Sequence, residues 1–361
     1  MEGPRGLHDR WNTERLRRSE RVGDPTLQTM HNKCLTTTIE LSLASPMFQE
    51  LGPNARALLK VVAFFPQGEN NLFPTISDGT NIVDKFCVLS LAYQSDSFIT
   101  MLAPLRDHLC PKDPKSSPLL CTVKEQYFTR MSLDLYPDKP GYRESRWIAS
   151  EDVNVEHLLD TFITIETDTD SIWDACTNFM EHLYWRKGLL TILRPKIEGL
   201  ADNHWSKPNC LFWLSQMFHV VWNYTECKRL LTDALKLNRE RGDCHAVART
   251  LNDLSHASYH MGLYEEGIRL VEEALEIFKQ LGGTVGQAEC LMDTTRLLYS
   301  NEQPDAAEEA AFHTIDLLSG KGERYLVYES HCILGDVYRS NGDTGKAIHH
   351  FEKVRRRTDS R

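Results

Sequence analysis

A mostly α-helical chain is predicted, with a small winged-helix-like domain followed by a helical linker and an α-solenoid of repeats. Three observations predict it. The stretch from Pro208 to Arg361 returns to one pattern at a fixed interval of 40 residues. Aligned on Trp222, Gly262, Glu302 and Gly342 as a turn, it has a small column five residues on, at Cys227, Gly267, Ala307 and Ala347. A period in the 20–50 range marks a stack of like helical units, each too small to bury a core alone. Upstream, residues 36–136 read in the order helix, helix, helix, hairpin.

Taken in order, residues 1–35 are polar, with a basic cluster at Arg15, Arg17, Arg18 and Arg21, and form a disordered or partly helical tail. A short helical turn at Thr38–Leu41 is limited by Pro46, and Gly52-Pro53-Asn54 turns into a helix from Ala55 to Phe64. Asp78 or Thr80 caps a third helix with Ile82, Phe86 and Leu89 on one face. Tyr93–Leu102 reads as a hairpin turning at Ser95-Asp96-Ser97. Leu119–Leu135 is helical, with Val123, Tyr127 and Met131 at intervals of four, and Tyr136–Gly141 is a linker. Residues 137–207 form a helical linker or degenerate repeat: a helix at Glu151–Ile163, then a pair at Ile172–Trp185 and Leu189–Leu200 turning at Lys187-Gly188. Four 40-residue repeats fill 208–361, the last incomplete and without a capping helix.

Within each repeat, Gly262-Leu263-Tyr264-Glu265-Glu266 and Gly342-Asp343-Thr344-Gly345-Lys346-Ala347-Ile348 resemble the turn and second helix of the tetratricopeptide family. The usual period there is 34, so six further residues are assigned to the second helix and following loop. The small column lets two helices approach closely, and at Gly267 that packing must offset about 1 kcal/mol of helix propensity. Pro304 suits a helix start where Glu302-Gln303 replaces the glycine turn.

Another resemblance rests on Ser45-Pro46-Met47-Phe48, Leu51-Gly52-Pro53 with Val61–Gly68, Met101–Asp107 and Trp147–Val155. These runs are similar to the winged-helix region of fungal STAND proteins, signal-transduction NTPases whose motor precedes helical repeats. That resemblance implies the back half of such a protein. The phosphate loop Gly-x-x-x-x-Gly-Lys-Ser/Thr does not occur, and Gly342-Asp343-Thr344-Gly345-Lys346-Ala347 has the wrong spacing and no hydroxyl after Lys346. Where relatives carry a Met-His-Asp nucleotide sensor, Met101-Leu102-Ala103 stands.

Composition narrows the function. A net charge of −10 argues against a phosphate-backbone binder, and the third helix offers only Asn81 and Lys85, offset by Asp84, for DNA. Ten cysteines without Cys-x-x-Cys spacing read as reduced core thiols. No leader or membrane span is evident, which makes the cytoplasm the default. Asp168, Asp170 and Asp174 lack the glycine and terminal Glu of a calcium loop. His256 and His260, four apart, could share a metal, but no third ligand is evident in the sequence, and packing or groove lining is the stronger reading. No catalytic, cofactor or metal residue is assigned, and the chain reads as a non-enzyme.

A partner groove is assigned instead. With Pro208, Ala248, Ala288 and Tyr328 as first positions, Leu211, Leu214, Leu251, Leu254, Leu291 and Leu334 pack inward. Facing the groove are Phe212, Gln216 and His219, then Arg249, Asn252, His256 and Tyr259, then Met292, Arg296 and Tyr299, then Asp336 and Arg339. Phe212 and Gln216 stand where a carboxylate-clamp subclass needs Lys and Asn, which disfavours a chaperone-tail clamp. Arg249 and Arg296 are expected to anchor an acidic partner. The reading is a non-catalytic scaffold binding a peptide or partner helix; docking on a full-length STAND NTPase relative and DNA regulation remain alternatives.

Overall fold

A computed structural model describes residues 37–52, 54–65, 79–89, 91–95, 98–134, 146–165, 170–185, 193–318 and 324–355. The chain divides into two compact units, Met1–Ala175 and Cys176–Arg361.

In the first unit, residues 37–43 are helical. Ser45 then caps α1 (Pro46–Gln49) by accepting from the Phe48 amide at 3.3 Å, so Pro46 opens a new helix as well as limiting the one before it. Next come α2 (Asn54–Phe64), α3 (Gly79–Val88) and an antiparallel pair, β1 (Tyr93–Ser95) with β2 (Phe98–Thr100), in which Gln94 faces Ile99. α4 (Ala103–Leu109) packs on α2. Leu58, Leu59 and Val62 of α2, Ile82 and Phe86 of α3, and Ile99 of β2 close a single core with Leu43 and Phe48. The sequence elements from 38 to 102 therefore share one hydrophobic interior. Asp78, Asp96, Ser97 and the Tyr136–Gly141 linker lie outside the described residues. α5 (Pro118–Asp134) buries Val123, Tyr127 and Met131, the four-residue ladder read from the sequence, and α6 (Arg146–Ile165) follows.

α7 (Asp170–Trp185) carries the unit boundary. Beyond it, α8 covers Arg194–Glu198 and ends two residues before the expected Leu200; residues 186–192, with Lys187-Gly188 and the start of the helix expected over 189–200, lie outside the described residues. Four helical pairs follow: α9 (Lys207–Val220) with α10 (Tyr224–Arg241), α11 (Cys244–His260) with α12 (Tyr264–Leu281), α13 (Thr284–Ser300) with α14 (Pro304–Leu318), and α15 (Arg324–Ser340) with α16 (Thr344–Arg355).

The 40-residue register is a backbone register. Trp222, Gly262, Glu302 and Gly342 all take the left-handed conformation, with φ of 64°, 74°, 59° and 78°. At each, the same two hydrogen bonds close the first helix. In the second repeat the Gly262 amide donates to the Tyr259 carbonyl and the Leu263 amide to the Ser258 carbonyl; in the third, Glu302 donates to Tyr299 and Gln303 to Leu298. This Schellman-type closure satisfies carbonyls that the helix end would leave orphaned. A left-handed Gly282 ends α12, and only Gly282-Gly283 separates it from α13. The added length therefore does not lie in the loop after the second helix, as the sequence reading assigned it in part. α11 and α12 run 17 and 18 residues, so helix holds almost the whole period.

Packing follows the small column. Cys227, Gly267, Ala307 and Ala347 are all buried. A Cβ on Gly267 would fall 2.6 Å from Leu297 Cδ2 and 3.3 Å from the Ser255 carbonyl, where α11, α12 and α13 meet. The six leucines assigned to the interior are all buried. Successive first helices touch one another, α11 with α13 and α13 with α15, whereas no pair of second helices is in comparable contact among the described residues. First helices thus form the tighter, inner side of the stack. On the outer side, Lys228–Glu266 at 2.7 Å and Arg239–Glu273 at 2.6 Å tie α10 to α12. Such exposed pairs set register more than they stabilise.

Candidate functional site: the inner face of the repeats

The inner face is built by α9, α11, α13 and α15, and its polar side chains are joined from one repeat to the next. The Arg249 guanidinium lies 3.8 Å from the centroid of the Phe212 ring, on the preceding repeat, and donates to Asn209 Oδ1 at 3.4 Å. Asn252 Nδ2 donates to Asp293 Oδ2 at 3.2 Å. Arg296 donates to Asp293 Oδ1 at 2.9 Å in its own helix and to Glu329 Oε2 at 2.7 Å in the next. Tyr299 Oη donates to the Asp336 carbonyl at 3.5 Å, and Arg339 pairs with Asp336 at 2.6 Å.

Each residue assigned from the sequence has a defined place on these helices. Phe212, Gln216 and Met292 are buried, so they support the face from beneath. His219, Arg249, Asn252, His256, Tyr259, Arg296, Tyr299 and Asp336 are half-buried, and Arg339 is exposed. Arg296 differs from its assigned role as a charged anchor: two carboxylates of the chain itself already balance it. Arg249 retains capacity, because its Nε is buried without a hydrogen-bond partner. Asn252 Oδ1, one helical turn on, is likewise buried and unpartnered. The carboxylate of Asp293 orients that amide, leaving the carbonyl oxygen free to accept.

Asp253 and Asp293 were not read as part of the site. They occupy the sixth position of their repeats, equivalent to Trp213 and Ile333 in the first and fourth. A charge at one column of an otherwise apolar face was the available signal. Burial pushes the Asp253 carboxyl up to about 7, against the opposing pull of Gln216 and Arg249. Burial likewise pushes Asp293 up to about 6, against Arg296 and Asn252.

A second cluster forms where the first two repeats meet. His256 and His260 lie one turn apart on α11, and His219 comes across from the end of α9. His219 Nε2 and His256 Nδ1 are 3.0 Å apart, and one ligand nitrogen from each of the three rings falls within 4.8 Å of the others. The third imidazole that no sequence neighbour supplies is provided by the preceding repeat. Tyr224 stacks on His260, with centroids 4.4 Å apart and planes 5° from parallel, and also meets His219 edge-on at 5.4 Å. Burial lowers all three imidazole pKa values, His256 to about 3, and the neighbouring positive groups lower them further.

Away from this face, a cavity of about 190 Å³ is lined by Glu198, Asp202, Lys207, Arg229 and Lys236, among others. Its charges are largely spoken for: Arg229 pairs with Glu198, Glu226 and Asp233, and Lys207 with Asp202. Nine cysteines among the described residues are free thiols, and burial raises Cys227 to about 12, as a core thiol requires. Among the described residues no helix is long and apolar enough to cross a membrane.

Residues 246–320 and 328–354 match tetratricopeptide repeat families. No curated protein matches the chain significantly. Among solved structures, the chain is similar to a putative kinesin light chain from Podosopora anserina with nearly identical TPR-like repeats. Identity is 15%, coverage is 58% of this chain and 93% of that one, and the TM-score is 0.40. It is also similar to a STAND protein with a tetratricopeptide repeat sensor from Pyrococcus horikoshii, at 13% identity and a TM-score of 0.44, covering 85% of this chain and half of that one. Apo RapI is a third, at 14% identity, 64% and 63% coverage and a TM-score of 0.45.

Proposed function

We propose that this chain is a protein-interaction scaffold whose inner repeat face takes a peptide in extended conformation. One observation carries the reading. Arg249 Nε and Asn252 Oδ1 are a buried donor and a buried acceptor, both without partners and one helical turn apart on the inner side. Leaving such groups unpaired costs roughly 1–3 kcal/mol each. Both residues are half-buried, so a turn of either side chain brings these atoms to the face, where a peptide carbonyl and amide can pair with them and recover that cost. The neighbouring inter-repeat bonds hold the side chains in place beforehand, which lowers the entropy lost on binding.

Charge selects the partner. On the inner face Asp253, Glu289, Asp293, Glu329 and Asp336 stand against Arg249, Arg296 and Arg339. With Arg296 and Arg339 already paired, a neutral or basic peptide suits the face better than the acidic one that two free arginines would call for.

The finer reading places these repeats as the sensor arm of a STAND-type protein, with residues 36–136 as a winged-helix-like domain. What supports it is the order α2, α3, β1, β2 around one core, together with the sequence resemblance. Without a phosphate-loop string in the 361 residues, calorimetry with Mg-ATP is expected to give no heat of binding; tight binding would overturn this reading.

The experiment for the scaffold is a displayed peptide library selected on the full chain, followed by hydrogen exchange with a synthesised winner. Protection is expected on α9, α11 and α13. Protection confined to α10, α12 and α14 would contradict the assignment.

A further inference from the structure

We propose that His219, His256 and His260 form a binding site for a divalent transition-metal ion, zinc in the first instance, with one coordination position left open. The inference does not depend on the peptide reading, since the three rings lie at the junction of the first two repeats whatever occupies the inner face.

The geometry is near to what coordination needs. Zinc–imidazole bonds of 2.0–2.1 Å in a tetrahedral shell place two ligand nitrogens about 3.3 Å apart. His219 Nε2 and His256 Nδ1 stand at 3.0 Å, and the third nitrogen lies within 4.8 Å of both. Loading has to draw the His260 nitrogen toward the other two by up to about 1.5 Å, from at most 4.8 Å to about 3.3 Å. His256 and His260 come from one helix at the i, i+4 spacing that puts two imidazoles on one face, and the preceding repeat supplies the third. Ring–ring distances of 4.9, 4.7 and 5.7 Å between centroids put all three rings in one cluster.

The surroundings hold the rings there. Tyr224, the first residue of α10, stacks flat on His260 and touches His219. Trp222 reaches His260 at 6.4 Å from the turn between α9 and α10, where its left-handed backbone carries the indole outward. Arg296 is a cation that acts on His256 and His260, and Asp293 and Glu329 balance it. Packing alone gives no reason to gather three imidazoles beside a guanidinium.

The ligand set indicates the ion. Three imidazoles without thiolate or carboxylate suit Zn²⁺, Cu²⁺, Ni²⁺ or Co²⁺ and disfavour Mg²⁺ and Ca²⁺. In the metal-free protein one of the two close rings donates a hydrogen bond to the other, and loading requires that ring to move its proton to its other nitrogen, with no net proton released. Because His260 is exposed, the ion has a path in and its fourth position faces solvent. Water fills that position, or a donor group from a bound protein does.

The test is calorimetry with ZnCl₂ on the full chain after chelator dialysis, with CoCl₂ as the optical probe. Saturable binding of about one ion per chain and the visible bands of tetrahedral Co²⁺ are expected. His260→Gln, at an exposed position, is expected to weaken binding at least about tenfold, and His219→Gln to do the same. The exposed His313→Gln is expected to change nothing. A distinct His331–His350 pair, 3.1 Å apart between Nδ1 atoms, provides the internal control. Loss of binding in His350→Gln but not in His260→Gln would overturn the assignment, as would the absence of saturable binding in the unaltered chain.

Discussion

Replacing Glu302 by glycine is expected to stabilise the repeats, although it removes a side chain and loosens the unfolded chain. Glu302 holds φ of 59° at the turn between α13 and α14. A residue with a Cβ pays roughly 1–2 kcal/mol for the left-handed conformation. Glycine escapes that cost but gives the unfolded chain back about 0.4–1 kcal/mol of entropy. The Glu302 side chain is exposed, and it forms no ion pair or hydrogen bond among the described residues, so little else is lost. A net gain of about 0.5–1 kcal/mol follows. The mirror experiment is Gly262→Ala. A Cβ there meets nothing within 4 Å, so its cost is backbone alone and is expected to be a loss of similar size. Thermal unfolding followed by circular dichroism reads both, at about 2–4 °C per kcal/mol for a unit of this size. If Glu302→Gly lowers the midpoint, or Gly262→Ala leaves it unchanged, the left-handed turn is not what sets the register.

Gly267→Val is expected to cost about 1–3 kcal/mol by overpacking, because its Cβ already meets Leu297 Cδ2 at 2.6 Å; urea denaturation with no loss of midpoint would refute the close approach of the three helices. Asp293→Asn separates the buried carboxylate from its charge. The native carboxyl titrates at about 6, above its unfolded value, so the native state holds the extra proton and the associated stability is lost as pH rises through 6. The variant escapes that loss, and its stability relative to the unaltered chain is expected to rise between pH 4 and pH 8 by on the order of 2 kcal/mol. An equal difference at both pH values in urea titrations would contradict it.

How far the residues alone reached depended on whether a contact stays within one repeat. The turn column was legible even though Trp222 and Glu302 carry a Cβ, because the flanking small and apolar columns fix the phase that glycine alone would not. The core leucines were legible for the same reason, as was the approach of Gly267 to the Ser255 carbonyl in its own repeat; its closer approach to Leu297 of the next repeat was not. Contacts between repeats were not. Arg296 looked like a free anchor because Glu329, which neutralises it, lies 33 residues away in the next repeat. His219 escaped notice as a third imidazole because it meets His256 across 37 residues of sequence. Asp253 and Asp293 were passed over because the sixth column also holds Trp213 and Ile333; their spacing to Arg249 and Arg296 on the same helices was legible, but their burial under the neighbouring repeats was not. The extra residues of the long period could not be placed without the two-residue Gly282-Gly283 connection, which shows that they lengthen helices.

The central claim, that the inner face recognises a peptide backbone through Arg249 and Asn252, is tested most directly by affinity. A library-selected peptide is titrated against Arg249→Ala, Asn252→Ala and the outer-helix variant Arg269→Ala, each checked for an unchanged circular dichroism spectrum. Arg249→Ala and Asn252→Ala are expected to weaken binding about tenfold or more, near 1.4 kcal/mol, with Arg269→Ala unchanged. Equal affinity across all three variants would place recognition elsewhere on the chain.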